Sequence, residues 1–160
     1  MKEIKIETLL NVYESLDELP EDVVSLMEKA MAARDKSYSP YSKFSVGAAL
    51  LLENNEVVTG SNQENASYPS GLCAERTAIF YAGAQFPNVI IKRMAITAGS
   101  RLKVTDQPIP PCGACRQSIA EYEIKQDAPI EIYFMGEKGK VLRSYSLANL
   151  LPLGFDKRVL

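Results

Sequence analysis

Hydrophobic and polar positions change period several times along the chain, and each change marks an element. From Pro20 onward, apolar residues recur at Val23, Met27, Ala30 and Met31, a helical spacing. Pro20 suits a first turn, and Glu21 and Asp22 favour its positive end. Ser37-Tyr38-Ser39-Pro40 closes that helix, because proline disfavours αR geometry in the residue before it. Phe44 to Leu52 reads as a strand in which Gly47-Ala48-Ala49 permits a helix to pack closely. Glu53-Asn54-Asn55-Glu56 is turn chemistry, and Val57 to Ser61 is the returning strand of a hairpin. After a loop from Asn62 to Leu72, a helix opens at Cys73 and continues through Ala78, Ile79, Tyr81 and Ala82. Val89 to Ala98 suits a buried central strand, and Gly99 to Pro111 is a loop rich in polar residues and proline. Cys112 to Tyr122 forms another helix, and Ile130 to Met135 alternates as a strand. Gly136-Glu137-Lys138-Gly139 turns the chain into a last strand, Val141 to Tyr145, and Ser146 caps a short helix through Leu151.

The order αββαβαββα implies a three-layer α/β/α architecture, a mixed five-stranded sheet with helices on both faces. Residues 1–19 stand outside that pattern, with mixed charge and modest alternation at Ile4, Ile6, Leu9 and Leu10. They read as a structural extension without chemistry, either an added edge strand or a segment laid over the surface. No repeat, low-complexity segment or linker divides the 160 residues, so a single domain over 1–160 is expected.

Composition excludes several function classes. The 46% hydrophobic and 24% charged content is that of an ordinary soluble globular protein. A net charge of −2 and a pI near 5.3 argue against a nucleic-acid partner, whose phosphates demand clustered Lys and Arg. The opening residues lack the apolar core of a signal peptide, and no run approaches the roughly 18 apolar residues of a membrane span. Three cysteines are a poor disulfide framework and suit a reducing cytoplasm.

Those cysteines carry the chemistry. There are three of them and no histidine. Cys112 and Cys115 form a C-x-x-C pair, a spacing that lets two thiolates at a helix start grip one soft metal ion. Cys73, 39 positions upstream of Cys112, would be the third ligand. A structural zinc site needs four N or S ligands, and none is left to supply the fourth. Three protein ligands with an open position is the pattern of a catalytic zinc, which lowers the pKa of bound water to about 7. Glu75 supplies a carboxylate able to take and return protons. Side chains two apart diverge on a regular helix, so Cys73 and Glu75 share one site only if Cys73 lies at the helix start. Zinc with three thiolates carries a net negative charge, and Arg76 with the positive ends of two helices is expected to offset it. A dithiol redox pair would need only Cys112 and Cys115, with no use for Cys73 or Glu75.

Cys73-Ala74-Glu75 with Pro111-Cys112-Gly113-Ala114-Cys115 resembles the zinc deaminase signature in its three-Cys form. The neighbouring Phe44-Ser45-Val46-Gly47-Ala48-Ala49-Leu50, Asn62-Gln63-Glu64-Asn65-Ala66-Ser67-Tyr68 and Leu150-Leu151-Pro152-Leu153-Gly154-Phe155 are similar to the small homotetrameric cytidine deaminases. The resemblance runs from about residue 30 to Phe155 and leaves out residues 1–19. It implies one Zn²⁺ per subunit on Cys73, Cys112 and Cys115, catalysis by Glu75, and hydrolysis of cytidine and 2′-deoxycytidine as free nucleosides. It further implies that Asn62 and Glu64 bind the ribose 3′-hydroxyl and that Phe44 stacks on the pyrimidine. Backbone groups near Ala74 and Cys112 would hold the base edge. Phe155 would close a neighbouring subunit's pocket in a homotetramer, with Tyr68 at the subunit junction. A deaminase of another small aminopyrimidine, or a zinc-stabilised binding protein, are the competing readings.

Overall fold

A computed structural model describes residues 1–160. Its sheet has six strands in the order β1-β6-β5-β4-β2-β3: β1 (Asn11–Tyr13), β2 (Phe44–Leu52), β3 (Val57–Ser61), β4 (Ile91–Ser100), β5 (Glu131–Met135) and β6 (Val141–Ser144). The helices are α1 (Glu21–Arg34), α2 (Ala74–Gln85) and α3 (Gly113–Gln126). Only β4 and β5 pair in parallel, from Arg93↔Glu131 to Thr97↔Met135, and α3 lies in the crossover that joins them. No helix is long and apolar enough to cross a membrane.

Alternation along the strands creates the layers. Ala48, Leu50, Leu52, Met94, Ile96, Ile132 and Phe134 pack with Ala78, Ile79, Ala82 and Ile119 of α2 and α3. The intervening residues Ala49, Ala95, Tyr133 and Met135 pack instead with Val23, Leu26, Met27 and Ala30 of α1. Glycine sets the spacing at two places. A Cβ on Gly47 would lie 2.0 Å from the Ala30 carbonyl oxygen, so α1 rests directly on β2. A Cβ on Gly60 would lie 2.6 Å from the Ala74 carbonyl oxygen and the Ala78 nitrogen, so β3 is seated against the first turns of α2.

The architecture is the expected α/β/α, with the expected five strands corrected to six. The additional strand is β1, the edge-strand alternative for residues 1–19, which pairs antiparallel with β6 through Asn11↔Arg143, Val12↔Leu142 and Tyr13↔Val141. Three residues are too few to announce a period. They are held by the packing of Leu10 and Tyr13 on the two cores and by the Glu14–Lys140 ion pair just beyond. The central strand lies two residues later than expected, because Gly99 and Ser100 still pair with Ser45 and Phe44. α3 runs on to Gln126 and stops at Asp127, which has a left-handed φ of 51°. The expected closing helix is only a 3-10 turn, Leu147–Asn149, capped by the Ser146 hydroxyl, which accepts from the Ala148 amide.

Candidate metal centre and active site

The helix starts of α2 and α3 follow the carboxyl ends of β3 and β4, where open α/β sheets place their ligands. Cys73 is the residue before α2, with extended backbone (φ −73°, ψ 157°), and Cys112 occupies the same position before α3 (φ −67°, ψ 169°). Neither side chain caps its own helix, so both sulfurs are free to face outward from the helix ends. Cys115 sits one turn into α3 and is buried. The extended geometry at Cys73 resolves the difficulty of two positions two apart sharing a site.

The Cys73 Sγ lies 3.9 Å from the Cys112 Sγ, which lies 3.5 Å from that of Cys115. All three sulfurs are within 4.8 Å of one another, and no fourth His, Cys, Asp or Glu joins the group. Tetrahedral zinc with Zn–S bonds of about 2.3 Å separates its sulfurs by about 3.8 Å. The donor set fits that ion, leaving one coordination position unfilled by protein. A hydrogen bond with Cys115, supported by the Arg76 guanidinium, draws the Cys73 thiol down to about 5. The same bond and burial push Cys115 up.

Glu75 lies beside the cluster and is only 4% exposed. Burial raises its carboxyl above the usual carboxylate range. Its Oε2 is buried with no hydrogen-bond partner, and so is the Arg76 Nε. Native interiors rarely tolerate such orphans away from a site that receives a ligand. Arg76 is anchored through Nη2 to the Gly71 carbonyl, 3.4 Å away. Ala74, fully buried, opens α2 between the Cys73 thiol and the Glu75 carboxyl.

A cleft of about 430 Å³ leads from Cys73 and Arg76 past Asn62, Glu64 and Tyr68. Asn62 is 8% exposed, and its amide is engaged with β2: Oδ1 accepts from the Val46 amide at 2.8 Å and Nδ2 donates to the Phe44 carbonyl at 2.9 Å. One N–H and one lone pair remain for a ligand. Glu64 Oε2 accepts from the amides of Tyr41 (2.9 Å) and Ser42 (3.3 Å), and Oε1 accepts from the Ser42 hydroxyl. Against the opposing effect of burial, these bonds hold its carboxyl below the usual range. Tyr68 is 74% exposed, its ring 6.0 Å from that of Tyr41. Phe44 opens β2 half-buried and does not line this cleft. Phe155 is not brought there either. It is 61% exposed and borders a separate hollow with Leu151 and Leu153.

Sequence reasoning missed Tyr41 and Ser42, which fix Glu64, because Ser37-Tyr38-Ser39-Pro40 signalled only the end of a helix. It also missed Arg116. This side chain donates from Nε to the Pro111 carbonyl (2.8 Å) and from Nη1 to the Leu150 carbonyl (2.7 Å). Its place immediately after Cys115 was the available signal.

The chain is similar to known proteins. Residues 20–128 match the family model described as the cytidine and deoxycytidylate deaminase zinc-binding region. A cytidine deaminase of Halalkalibacterium halodurans is 40% identical over 130 residues, 81% of this chain and 91% of the relative. One of Sporosarcina psychrophila is 40% identical over 136 residues, 85% of this chain and 93% of the relative. The crystal structure of cytidine deaminase from Burkholderia pseudomallei superposes with a TM-score of 0.72 at 39% identity, covering 86% of this chain and all (100%) of that one. That of Mycobacterium tuberculosis gives 0.66 at 31% identity, covering 86% and 99%. Sulfurs spaced for one zinc, the neighbouring carboxyl and this match over most of the chain agree: the protein belongs to the zinc-binding cytidine and deoxycytidylate deaminase family.

Proposed function

We propose that this chain is a zinc-dependent cytidine deaminase, a hydrolase that converts cytidine and 2′-deoxycytidine to uridine and 2′-deoxyuridine with release of ammonia, a step of pyrimidine salvage. The observation that carries the reading is the buried, unpartnered Glu75 Oε2 beside three sulfurs spaced for one ion. Cys73, Cys112 and Cys115 hold the zinc, which when bound acts as a Lewis acid and makes water acidic near neutral pH. Glu75 takes a proton from the attacking water and delivers it to ring N3 while the water oxygen bonds to C4. It then carries the remaining water proton to the amino group. The C4–N bond breaks, ammonia leaves, and the product keeps a carbonyl at C4 and a proton on N3. Burial suits Glu75 to this exchange, since it makes the carboxylate a stronger base toward the attacking water.

Arg76 offsets the negative charge of the thiolates, and the amide groups at the start of α2 and α3, near Ala74 and Cys112, hold the base edge. Asn62 and Glu64 bind the ribose through the hydrogen-bonding capacity that β2 and Ser42 leave them, and Phe44, outside the cleft lining but tied by its carbonyl to Asn62, stacks on the pyrimidine once substrate is bound. The ribose contacts favour a nucleoside over the free base, and Arg76 is the single cation lining the cleft, which offers little to a phosphate. Phe155, exposed and remote from its own chain's cleft, supports a homotetramer in which the tail completes a neighbour's pocket, with Tyr68 at the junction. The 160 residues act as one domain in the cytoplasm, where unpaired thiols persist.

Loss of ultraviolet absorbance from cytidine, deoxycytidine, cytosine, CMP and adenosine, measured together with zinc content, tests the reading. Cytidine and deoxycytidine are turned over, and Glu75→Gln lowers kcat by about 10²-fold to 10⁴-fold with zinc still bound. Undiminished turnover by that variant would end the mechanism.

A further inference from the structure

The residue after the last metal-binding cysteine is a cation with no carboxylate partner. Arg116 takes part in none of the ion pairs of the chain. It stands in the first turns of α3, where the helix end is itself positive. Both of its hydrogen bonds go to backbone carbonyls, so the side chain is used for its shape. The guanidinium is a flat, rigid fork. One prong meets the carbonyl of Pro111, the residue that delivers the chain to Cys112. The other meets the carbonyl of Leu150, where the chain leaves the 3-10 turn Leu147–Asn149 toward the tail. The next side chain acts on the same tail. Gln117 Nε2 donates to the carbonyl of Phe155, 2.8 Å away. Two consecutive residues of the metal-bearing helix thus hold both ends of the segment 150–155.

We propose that Arg116 is a positioning residue that couples metal ligation to placement of the C-terminal tail, with Gln117 as a second, tail-only tether. This rests on the reading of Cys112 and Cys115 as zinc ligands and Phe155 as a contact to a neighbour's substrate. The Pro111 carbonyl fixes the backbone entering Cys112, so a guanidinium bound to it orients a ligand without touching the metal. Groups that orient ligands in this way affect metal affinity about 10-fold to 100-fold. The Leu150 bond makes the same plane the footing of the tail. A disturbance at either end reaches the other through one side chain. Arg116→Lys keeps the charge and loses the fork, and so separates geometry from electrostatics.

The test uses the full-length zinc enzyme and its Arg116→Lys, Arg116→Gln and Gln117→Ala variants. Three quantities are read: the rate of zinc transfer to a chelator, hydrogen exchange of the Leu150, Leu151 and Gly154 amides, and the split between KM and kcat. Exchange of the Ile96 amide in β4 reports global opening. Both Arg116 variants are expected to lose zinc at least 10-fold faster and to exchange the tail amides at least 10-fold faster, with Ile96 unchanged. Gln117→Ala is expected to speed tail exchange and raise KM while zinc loss and kcat stay native. Zinc loss and tail exchange that do not change together in the Arg116 variants would overturn the proposal. So would changes that merely follow Ile96. Native protein that binds no zinc would instead defeat the functional reading beneath it.

Discussion

Gly60 offers the most direct test of how the sheet sets the metal geometry. Replacing it with alanine introduces a Cβ 2.6 Å from both the Ala74 carbonyl oxygen and the Ala78 nitrogen, backbone atoms in the first turns of α2. Neither is the far end of a flexible side chain, so relief requires moving the helix. Reaching ordinary contact at 3.4 Å requires about 0.8 Å of displacement at the end that bears Cys73 and Glu75. Metal–ligand distances tolerate only about 0.2 Å. Cys112 and Cys115 belong to a different helix and do not follow. Overpacking of this kind costs about 1–3 kcal/mol, which lowers the midpoint of thermal unfolding by roughly 2–12 °C in a domain of this size. Zinc affinity should fall at the same time, by tenfold or more. Gly113 supplies the comparison, since it lies between two of the cysteines yet a Cβ there meets nothing within 4 Å. Gly113→Ala should retain zinc like the native chain. Zinc competition against a chromophoric chelator and calorimetry with and without metal measure both effects. Native zinc affinity in Gly60→Ala would refute the idea that β3 sets the position of the α2 start.

Other outcomes follow from the site and its tail. Arg76→Ala, which removes the guanidinium beside Cys73, should move the lower limb of the kcat/KM–pH profile upward by about one unit or more; an unmoved profile with normal zinc content removes Arg76 from the charge balance. Phe155→Ala removes an exposed ring, so intrachain packing is little altered, while KM for cytidine should rise roughly 5-fold to 150-fold, the range of about 1–3 kcal/mol for an aromatic contact to a base. Asp156 is held down to about 2 by its hydrogen bonds from Arg158, so it favours the ordered tail above its ordinary value of 3.8 and loses that contribution as pH falls toward 2. Protection of the Arg158 and Val159 amides, corrected for their intrinsic exchange rate, should accordingly persist down to about pH 4 and fall between about pH 4 and pH 2.

The sequence made the site legible through arithmetic on residue types. Three cysteines, no histidine and a carboxyl two residues from one cysteine leave few chemistries, and the structure gathers those sulfurs as the spacing required. The layers were legible because Leu50, Leu52, Met94, Ile96, Ile132 and Phe134 alternate with residues that face α1. What escaped depends on partners distant in sequence. An edge strand within residues 1–19 is one of the two readings of that stretch, but its place at Asn11–Tyr13 is defined by β6, about 130 residues on. The engagement of Asn62 with Phe44 and Val46, and of Glu64 with Ser42, arises from a long-range fold of the loop onto β2. Side chains that looked free for a sugar also serve as struts, and no spacing rule distinguishes the two tasks.

The three residues of β1 have a consequence beyond adding a strand. Without them β6 would form a raw rim of the sheet, its amides and carbonyls ready to zip onto any extended chain. Covering that rim with a short ribbon, flanked by the Lys140–Glu14 pair, leaves a strand of only three residues as the edge on that side. The segment thus shields the sheet on that side.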